Sequence, residues 1–110
     1  MLSDGFRAAA ESKDFSRIQE LAAEDVVFRS PVVFKPYEGR DAVAFVLSGV
    51  VQVFEDFRYV DQVETANTAV LVFQARVGDR VLDGVDILRF DEEGKITELV
   101  VMVRPMSGIN

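Results

Sequence analysis

The second half of the chain contains four consecutive segments with the composition of β-strands, separated by short turns. They cover residues 57–64, 69–77, 81–90 and 96–103. Gly78-Asp79 and Glu93-Gly94 supply the residue types that tight hairpin turns require. Because helical patterns occupy the first half, the chain is predicted to form helices first and an antiparallel sheet afterwards, which is the α+β class.

Two short helices are predicted at the start of the chain. The first covers about residues 3–12, where Ser3 or Asp4 is a suitable N-cap. Asp14 is a suitable cap for the second helix. The apolar residues that follow it at helical spacing are Phe15, Ile18, Leu21 and Ala22.

A short strand over residues 26–29, ended by Pro31, leads through a loop at Pro36 and Gly39 into a third helix. This helix is predicted over about residues 41–54, with Val43, Val46, Val50 and Phe54 on one stripe. The segment is rich in β-branched residues, which lower helix propensity. However, its apolar and polar residues do not alternate with the period of two that a strand requires, so a helix is favoured over a strand.

The composition predicts one folded domain over residues 1–110. Hydrophobic residues make up 49% of the chain and charged residues 28%, which suits a packed core and argues against disorder.

The net charge of −7 comes without a basic stripe, so no nucleic-acid partner is predicted. The apolar run over residues 42–54 is too short and interrupted to cross a membrane, and the N-terminus lacks a signal-peptide pattern. A cytoplasmic protein without a membrane partner is expected.

The chain contains no histidine and no cysteine, which narrows its possible chemistry. An imidazole base, a thiol nucleophile and the usual nitrogen and sulfur metal ligands are all excluded. The sequence also has no Walker loop and no glycine-rich dinucleotide motif, so neither a metal nor a cofactor is predicted. Catalysis would have to use carboxylates, tyrosine, lysine or hydroxyl groups. These absences also permit an engineered origin, without indicating one.

Asp86 is the strongest single indication of a site. Its neighbours at a spacing of two, which share its face of the strand, are Gly84, Leu88 and Phe90, and none is charged. A carboxylate on an apolar face has to be paired or protonated. We interpret Asp86 as a protonated acid in a pocket. The alternative is a sheet carboxylate bonded to the backbone or to an arginine such as Arg76.

Both faces of the predicted strands are apolar, although antiparallel sheets usually leave one face in water. In the last strand, Leu99, Val101 and Val103 share one face, and Val100 and Met102 share the other. The helices can cover one face. A second copy of the chain is expected to cover the other, giving a homodimer through the sheet.

The order of these elements resembles the nuclear transport factor two-like superfamily, in its SnoaL-like and ketosteroid isomerase branch. The resemblance extends from about Phe6 to Pro105. The segments that carry it are residues 14–15, 25–31, 39–41 and 85–91. It implies a cone-shaped roll, in which a curved, mostly antiparallel sheet wraps around three N-terminal helices and encloses a small-molecule pocket.

Bacterial ketosteroid isomerases carry three chemical groups, and the resemblance places one of them here. Asp86 matches the neutral carboxylic acid that donates a hydrogen bond to the developing oxyanion. Phe6 stands where the family has a tyrosine, and Ser30, ahead of Pro31, stands where it has an aspartate base. Serine without a neighbouring base does not abstract a carbon-bound proton near neutral pH. Isomerisation by the family mechanism is therefore not predicted. The aspartate–arginine–aspartate set of the limonene epoxide hydrolase relatives finds no clear match either.

The resulting hypothesis is a small-molecule pocket protein, similar to ketosteroid isomerases and polyketide cyclase-like proteins. Asp86 is the candidate catalytic or anchoring residue for a small apolar carbonyl or phenolic ligand, and any enzyme activity would be that of an isomerase, cyclase or hydrolase. The candidate ligand-binding residues are Phe6, Phe28, Ser30, Phe54, Leu88, Leu99, Val101 and Val103. The alternative is a non-catalytic dimerisation or ligand-binding module. An open cavity of about 300 Å³ or more beside Asp86 favours the ligand hypothesis.

Several side chains keep two interpretations. Ser30 either bonds a ligand or caps the turn before Pro31. Tyr37 and Tyr59 are either acids or ligand contacts, or else half-buried packing residues with the hydroxyl in water, and the last is more common. The register of the strand around Gln74 is open, so either Val70, Val72 and Gln74 or Ala69, Leu71 and Phe73 face the pocket.

Overall fold

The computed structural model describes residues 1–105 and contains three helices and six strands there. The helices are α1 (Asp4–Ser12), α2 (Ile18–Leu21) and α3 (Arg40–Val53). The strands are β1 (Ala22–Arg29), β2 (Tyr37–Glu38), β3 (Glu55–Glu64), β4 (Thr68–Val77), β5 (Arg80–Phe90) and β6 (Ile96–Arg104). The predicted α+β class, with helices towards the N-terminus, is confirmed.

The six strands form one sheet in the order β2-β1-β6-β5-β4-β3. Only the pairing of β1 with β6 is parallel, and the four other pairings in the described residues are antiparallel. Register shifts interrupt the β3–β4 ladder between Glu55 and Arg58 and again between Tyr59 and Asp61. Such bulges increase local twist and bend a strand, so they help the sheet to curve around the helices.

The register of β4 decides which residues face the interior. Its buried side chains alternate with partly exposed ones, and the buried set is Ala69, Leu71, Phe73 and Ala75. Gln74 lies on the opposite face, where it accepts a hydrogen bond of 2.7 Å from Arg58. Gln74 is therefore a residue of the outer face and not a polar anchor of the pocket.

Three local predictions need correction. The second helix is only four residues long, and β1 begins directly after it at Ala22 rather than at Val26. The predicted loop before Gly39 contains the two-residue strand β2, which pairs with β1. The buried stripe of α3 is Val43, Leu47 and Val51, at a spacing of four, rather than the predicted stripe through Val46 and Val50.

A carboxylate from the sheet anchors the start of α1. Glu64 accepts hydrogen bonds from the backbone N–H groups of Leu2 and Ser3, at 3.0 and 2.9 Å, and from Ser3 Oγ at 2.7 Å. Burial raises the pKa of Glu64, but these hydrogen bonds outweigh it and hold the pKa below its usual value. The contact satisfies N–H groups that a helix start leaves unpaired, and it fixes the helix that carries Phe6 into the core.

Within residues 1–105, none of the helices is long and apolar enough to cross a membrane.

Candidate functional site

An apolar cavity of about 330 Å³ lies between the inner face of the sheet and the helices α1 and α3. Asp86 is the only carboxylate among the described residues that line it. The others are Phe6, Ala10, Phe15, Phe28, Ser30, Pro31, Val32, Val33, Tyr37, Val46, Leu47, Val50, Val51, Phe54, Phe57, Tyr59, Phe73, Val101 and Val103. A mostly apolar wall with a few polar groups is typical of small-molecule sites.

Asp86 is held in the middle of β5 and is only 5% exposed. Its Oδ2 atom accepts a hydrogen bond of 2.5 Å from the hydroxyl of Tyr59. Burial raises the pKa of Asp86 to about 7, although the Tyr59 hydrogen bond acts in the opposite direction. The protonated and the ionised carboxyl are therefore both accessible near neutral pH, and the protonated form can donate a hydrogen bond into the cavity.

Tyr59 is the hydrogen-bond partner of Asp86, and this pairing was not predicted from the sequence. It is 6% exposed, and its hydroxyl is bonded to Asp86 rather than to water, so the favoured interpretation as a packing tyrosine with a wet hydroxyl is wrong. Burial and the neighbouring Asp86 carboxylate raise the pKa of Tyr59 far above its ordinary value. The phenol therefore stays protonated and always acts as the donor of this pair.

The arginine alternative for Asp86 does not hold. Arg76 forms ion pairs with Glu55 at 2.9 Å and with Asp56 at 3.0 Å, both at the surface. Asp86 is not among the salt-bridged carboxylates of the described residues. Burial raises the pKa of Asp86, and the hydrogen bond from its uncharged partner Tyr59 lowers that pKa by less than burial raises it.

An aromatic cluster forms the wall next to this pair. The ring of Phe73 lies 4.9 Å from that of Phe57 and 5.8 Å from that of Phe54, measured between ring centroids. Phe57 in turn meets Tyr59 edge to face at 5.0 Å. These contacts hold the Tyr59 ring, so its hydroxyl oxygen stays within hydrogen-bond distance of Asp86.

Ser30 caps the turn that follows it, and its bond to a ligand stays a prediction. Its Oγ accepts hydrogen bonds from the backbone N–H groups of Val33, at 3.1 Å, and Val32, at 3.4 Å, and it donates to the Val33 carbonyl at 3.4 Å. The same residue lines the cavity. The hydroxyl thus caps the turn at the entrance, and among the described residues no carboxylate is hydrogen-bonded to it.

The structure brings most of the predicted ligand-binding residues to the cavity. Those that line it are Phe6, Phe28, Ser30, Phe54, Val101 and Val103. Leu88 and Leu99 do not line it, because they form a cross-strand pair that is fully enclosed in the core. Tyr37, Phe57 and Phe73 line it in addition. No group of three or more potential metal-ligating His, Cys, Asp or Glu side chains occurs in residues 1–105.

The model of the SnoaL-like domain family matches residues 4–99 of the chain. The chain belongs to the SnoaL-like family. Among solved structures, this SnoaL-like protein is similar to a steroid delta-isomerase from Pseudomonas aeruginosa, with 44% sequence identity, a TM-score of 0.91, and coverage of 98% of this chain and 80% of that one. A protein with a cystatin-like fold from Silicibacter pomeroyi is 39% identical, with a TM-score of 0.88 and coverage of 92% of this chain and 72% of that one.

The predicted superfamily and branch are thereby confirmed. A protein from Shewanella denitrificans that is described as a SnoaL-like polyketide cyclase shares the fold, at 18% identity and a TM-score of 0.73, over 94% of this chain and 88% of that one. A comparison with curated protein sequences finds no match.

Proposed function

We propose that this SnoaL-like protein binds a small apolar molecule bearing a carbonyl or phenol oxygen, and that Asp86 donates a hydrogen bond to that oxygen. One observation carries the proposal: within residues 1–105, the only carboxyl that lines the cavity of about 330 Å³ is buried. This volume exceeds the lower bound of about 300 Å³ for small-molecule sites, so the cavity favours a ligand over a filled core.

The hydrogen-bonding capacity of the pair supports this role. One oxygen of Asp86 accepts from Tyr59, which leaves the other oxygen to carry the proton and donate it to the ligand. The apolar wall favours the neutral acid over the carboxylate. A preorganised donor of this kind also stabilises negative charge that develops on a ligand oxygen.

We further propose that binding is accompanied by slow turnover at most. The likeness to a steroid delta-isomerase supports a carbonyl-bearing ligand. The resemblance assigns Ser30 to the position of the family's base, however, and the Ser30 hydroxyl is bonded within a turn. Any isomerase, cyclase or hydrolase activity would then rely on water or on a group of the substrate as proton acceptor, without a cofactor.

The test compares two probes of nearly the same shape, 2-acetylnaphthalene and 2-isopropylnaphthalene, of which only the first accepts a hydrogen bond. Equilibrium dialysis should show that Asp86→Leu weakens binding of the ketone about tenfold and leaves the hydrocarbon unweakened. Asp86→Asn, whose amide still donates, should bind the ketone nearly as well as the wild type. Asp83→Leu is the matched control, because Asp83 lies on the same strand and pairs with Arg104 at the surface. Equal losses for both probes would contradict the proposal.

We also propose that a second copy of the chain covers the outer face of the sheet. Met102, 56% exposed, lies opposite Val85 in the β5–β6 ladder, and Val72 pairs with Val85 on the other side. Val60 and Val63 are likewise exposed on β3. A contiguous apolar sheet face of this kind is typical of an isologous dimer interface.

A further inference from the structure

Gly84 and Phe73 are cross-strand partners in the β4–β5 ladder, next to the site. Gly84 precedes Asp86 by two residues, so both positions lie on the inner face of the strand. The ring of Phe73 lies over the Gly84 backbone: a Cβ built on Gly84 would be 2.0 Å from its Cζ atom and 2.4 Å from one Cε atom. Phe73 therefore occupies the space that any side chain at residue 84 would take.

The ring of Phe73 is closely confined on its other sides. It is only 1% exposed, and it contacts the rings of Phe54, Phe57 and Tyr59. The open space next to it is the cavity, which it lines. A side chain at residue 84 would push the ring towards this space and reduce the room in front of Asp86.

We propose that Gly84, through the position of Phe73, determines the size of ligand that can reach Asp86. The inference rests on the proposed ligand site and adds its size selectivity. In the wild type the Phe73 ring lies flat against the backbone of Gly84, which has no side chain. The inner end of the cavity therefore stays open. A smaller residue at position 73 would extend that end towards the backbone of β5.

The experiment uses naphthalene and phenanthrene, two hydrocarbons that differ by one fused ring and form no hydrogen bond with Asp86. The ratio of their dissociation constants is measured by equilibrium dialysis. Gly84→Ala should weaken the binding of phenanthrene relative to that of naphthalene by about tenfold or more. A misfit of one carbon atom in an apolar pocket has an effect of this size. Phe73→Leu should change the ratio in the opposite direction. Gly49→Ala is the matched control, since nothing lies within 4 Å of a Cβ at that position.

The double variant Gly84→Ala/Phe73→Leu keeps the test decisive if Gly84→Ala alone fails to fold. Removing the ring should remove the overlap, so the double variant should fold and recover a ratio near that of the wild type. An unfolded double variant, or a wild-type ratio in both single variants, would overturn the inference. Failure of the proposed function would give a different result. The dissociation constants of naphthalene and phenanthrene would still change with the size of residues 73 and 84, but 2-acetylnaphthalene would bind no more tightly than 2-isopropylnaphthalene.

Discussion

The hydroxyl of Tyr59 and the carboxyl of Asp86 form a hydrogen bond of 2.5 Å that joins β3 to β5 across the intervening strand β4. Both side chains are buried and both line the cavity. The phenol satisfies one carboxyl oxygen without neutralising it, so the acid keeps a raised pKa and a free oxygen. This combination gives an apolar cavity one strong, directed hydrogen-bond donor.

Replacing Tyr59 with phenylalanine should raise the pKa of Asp86 further. The Tyr59 hydrogen bond lowers that pKa, and its loss leaves burial as the dominant effect. The carboxyl carbon of Asp86, followed by NMR during a pH titration of Tyr59→Phe, should report the change. Tyr37→Phe is the matched control, because Tyr37 also lines the cavity and its hydroxyl is not bonded to Asp86. An unchanged or lower pKa in Tyr59→Phe would contradict the assignment of the pair.

Stability should depend on pH through Asp86. Its pKa is raised from an ordinary 3.8 to about 7, so between these values only the folded state holds the proton. The free energy of unfolding should therefore fall by about 1.4 kcal/mol per pH unit from this group as pH rises through that window. Asp86→Asn removes the effect. The free energy of unfolding is measured with urea for Asp86→Asn and for the wild type. The value for the variant minus the value for the wild type should be about 2–3 kcal/mol larger at pH 8 than at pH 5. The same difference at both pH values would show that the carboxyl is not protonated in the folded protein.

Ser30→Asp should install a base at the entrance of the cavity. Aspartate can keep the turn, because its carboxylate also accepts from backbone N–H groups two and three residues on. The conversion of 3-cyclohexenone to its conjugated isomer, followed by ultraviolet absorbance, should accelerate by about 100-fold or more, as general bases contribute. Ser30→Asn is the control, with the same shape and no basicity. Equal rates in the two folded variants would mean that residue 30 does not reach the reacting carbon.

Glu64→Ala should destabilise the fold by about 1 kcal/mol, because the N–H groups of Leu2 and Ser3, directly before α1, lose their acceptor. For a domain of this size, the melting temperature should fall by about 4–8 °C. Glu92→Ala, in the exposed turn between β5 and β6, should leave the melting temperature close to that of the wild type. A similar small change in both variants would contradict the anchoring role of Glu64.

Met102→Glu should disrupt the proposed dimer. A carboxylate at the centre of an apolar interface would be buried without a partner, which disfavours association. Sedimentation velocity at micromolar concentration should show a dimer for the wild type and a monomer for this variant. Phe45→Glu is the control, since Phe45 is also a large apolar residue that is exposed, but it lies on α3. A monomeric wild type would refute the interface.

The fold and the acid of the site were predictable from the sequence because both depend on local patterns. Hairpin turns separate the strands, and the apolar neighbours of Asp86 show that its face is buried. The partner of Asp86 was not predictable. Tyr59 lies two strands away, in a strand whose register shifts beside it, and neither pairing nor bulges can be read from alternation alone.

The helix α3 shows a different limit of the sequence pattern. Its apolar residues cover more than one face, so the pattern indicates a helix but not its orientation. Val43, Leu47 and Val51 are buried, whereas Val46 is half-buried and Val50 is exposed. All of them except Val43 line the cavity, so the helix borders an open space as well as the packed core. An empty cavity leaves no signature in the sequence that differs from a filled core.

The most direct test of the account is the pKa of Asp86 in the free protein and in the presence of 2-acetylnaphthalene, measured by carbon-detected NMR. The ketone only accepts hydrogen bonds, so it binds the protonated acid in preference to the carboxylate. We predict a pKa near 7 for Asp86 in the free protein and a higher value with the ketone bound. A pKa near its ordinary value of 3.8, unchanged by the ketone, would contradict the role of Asp86 as the donor.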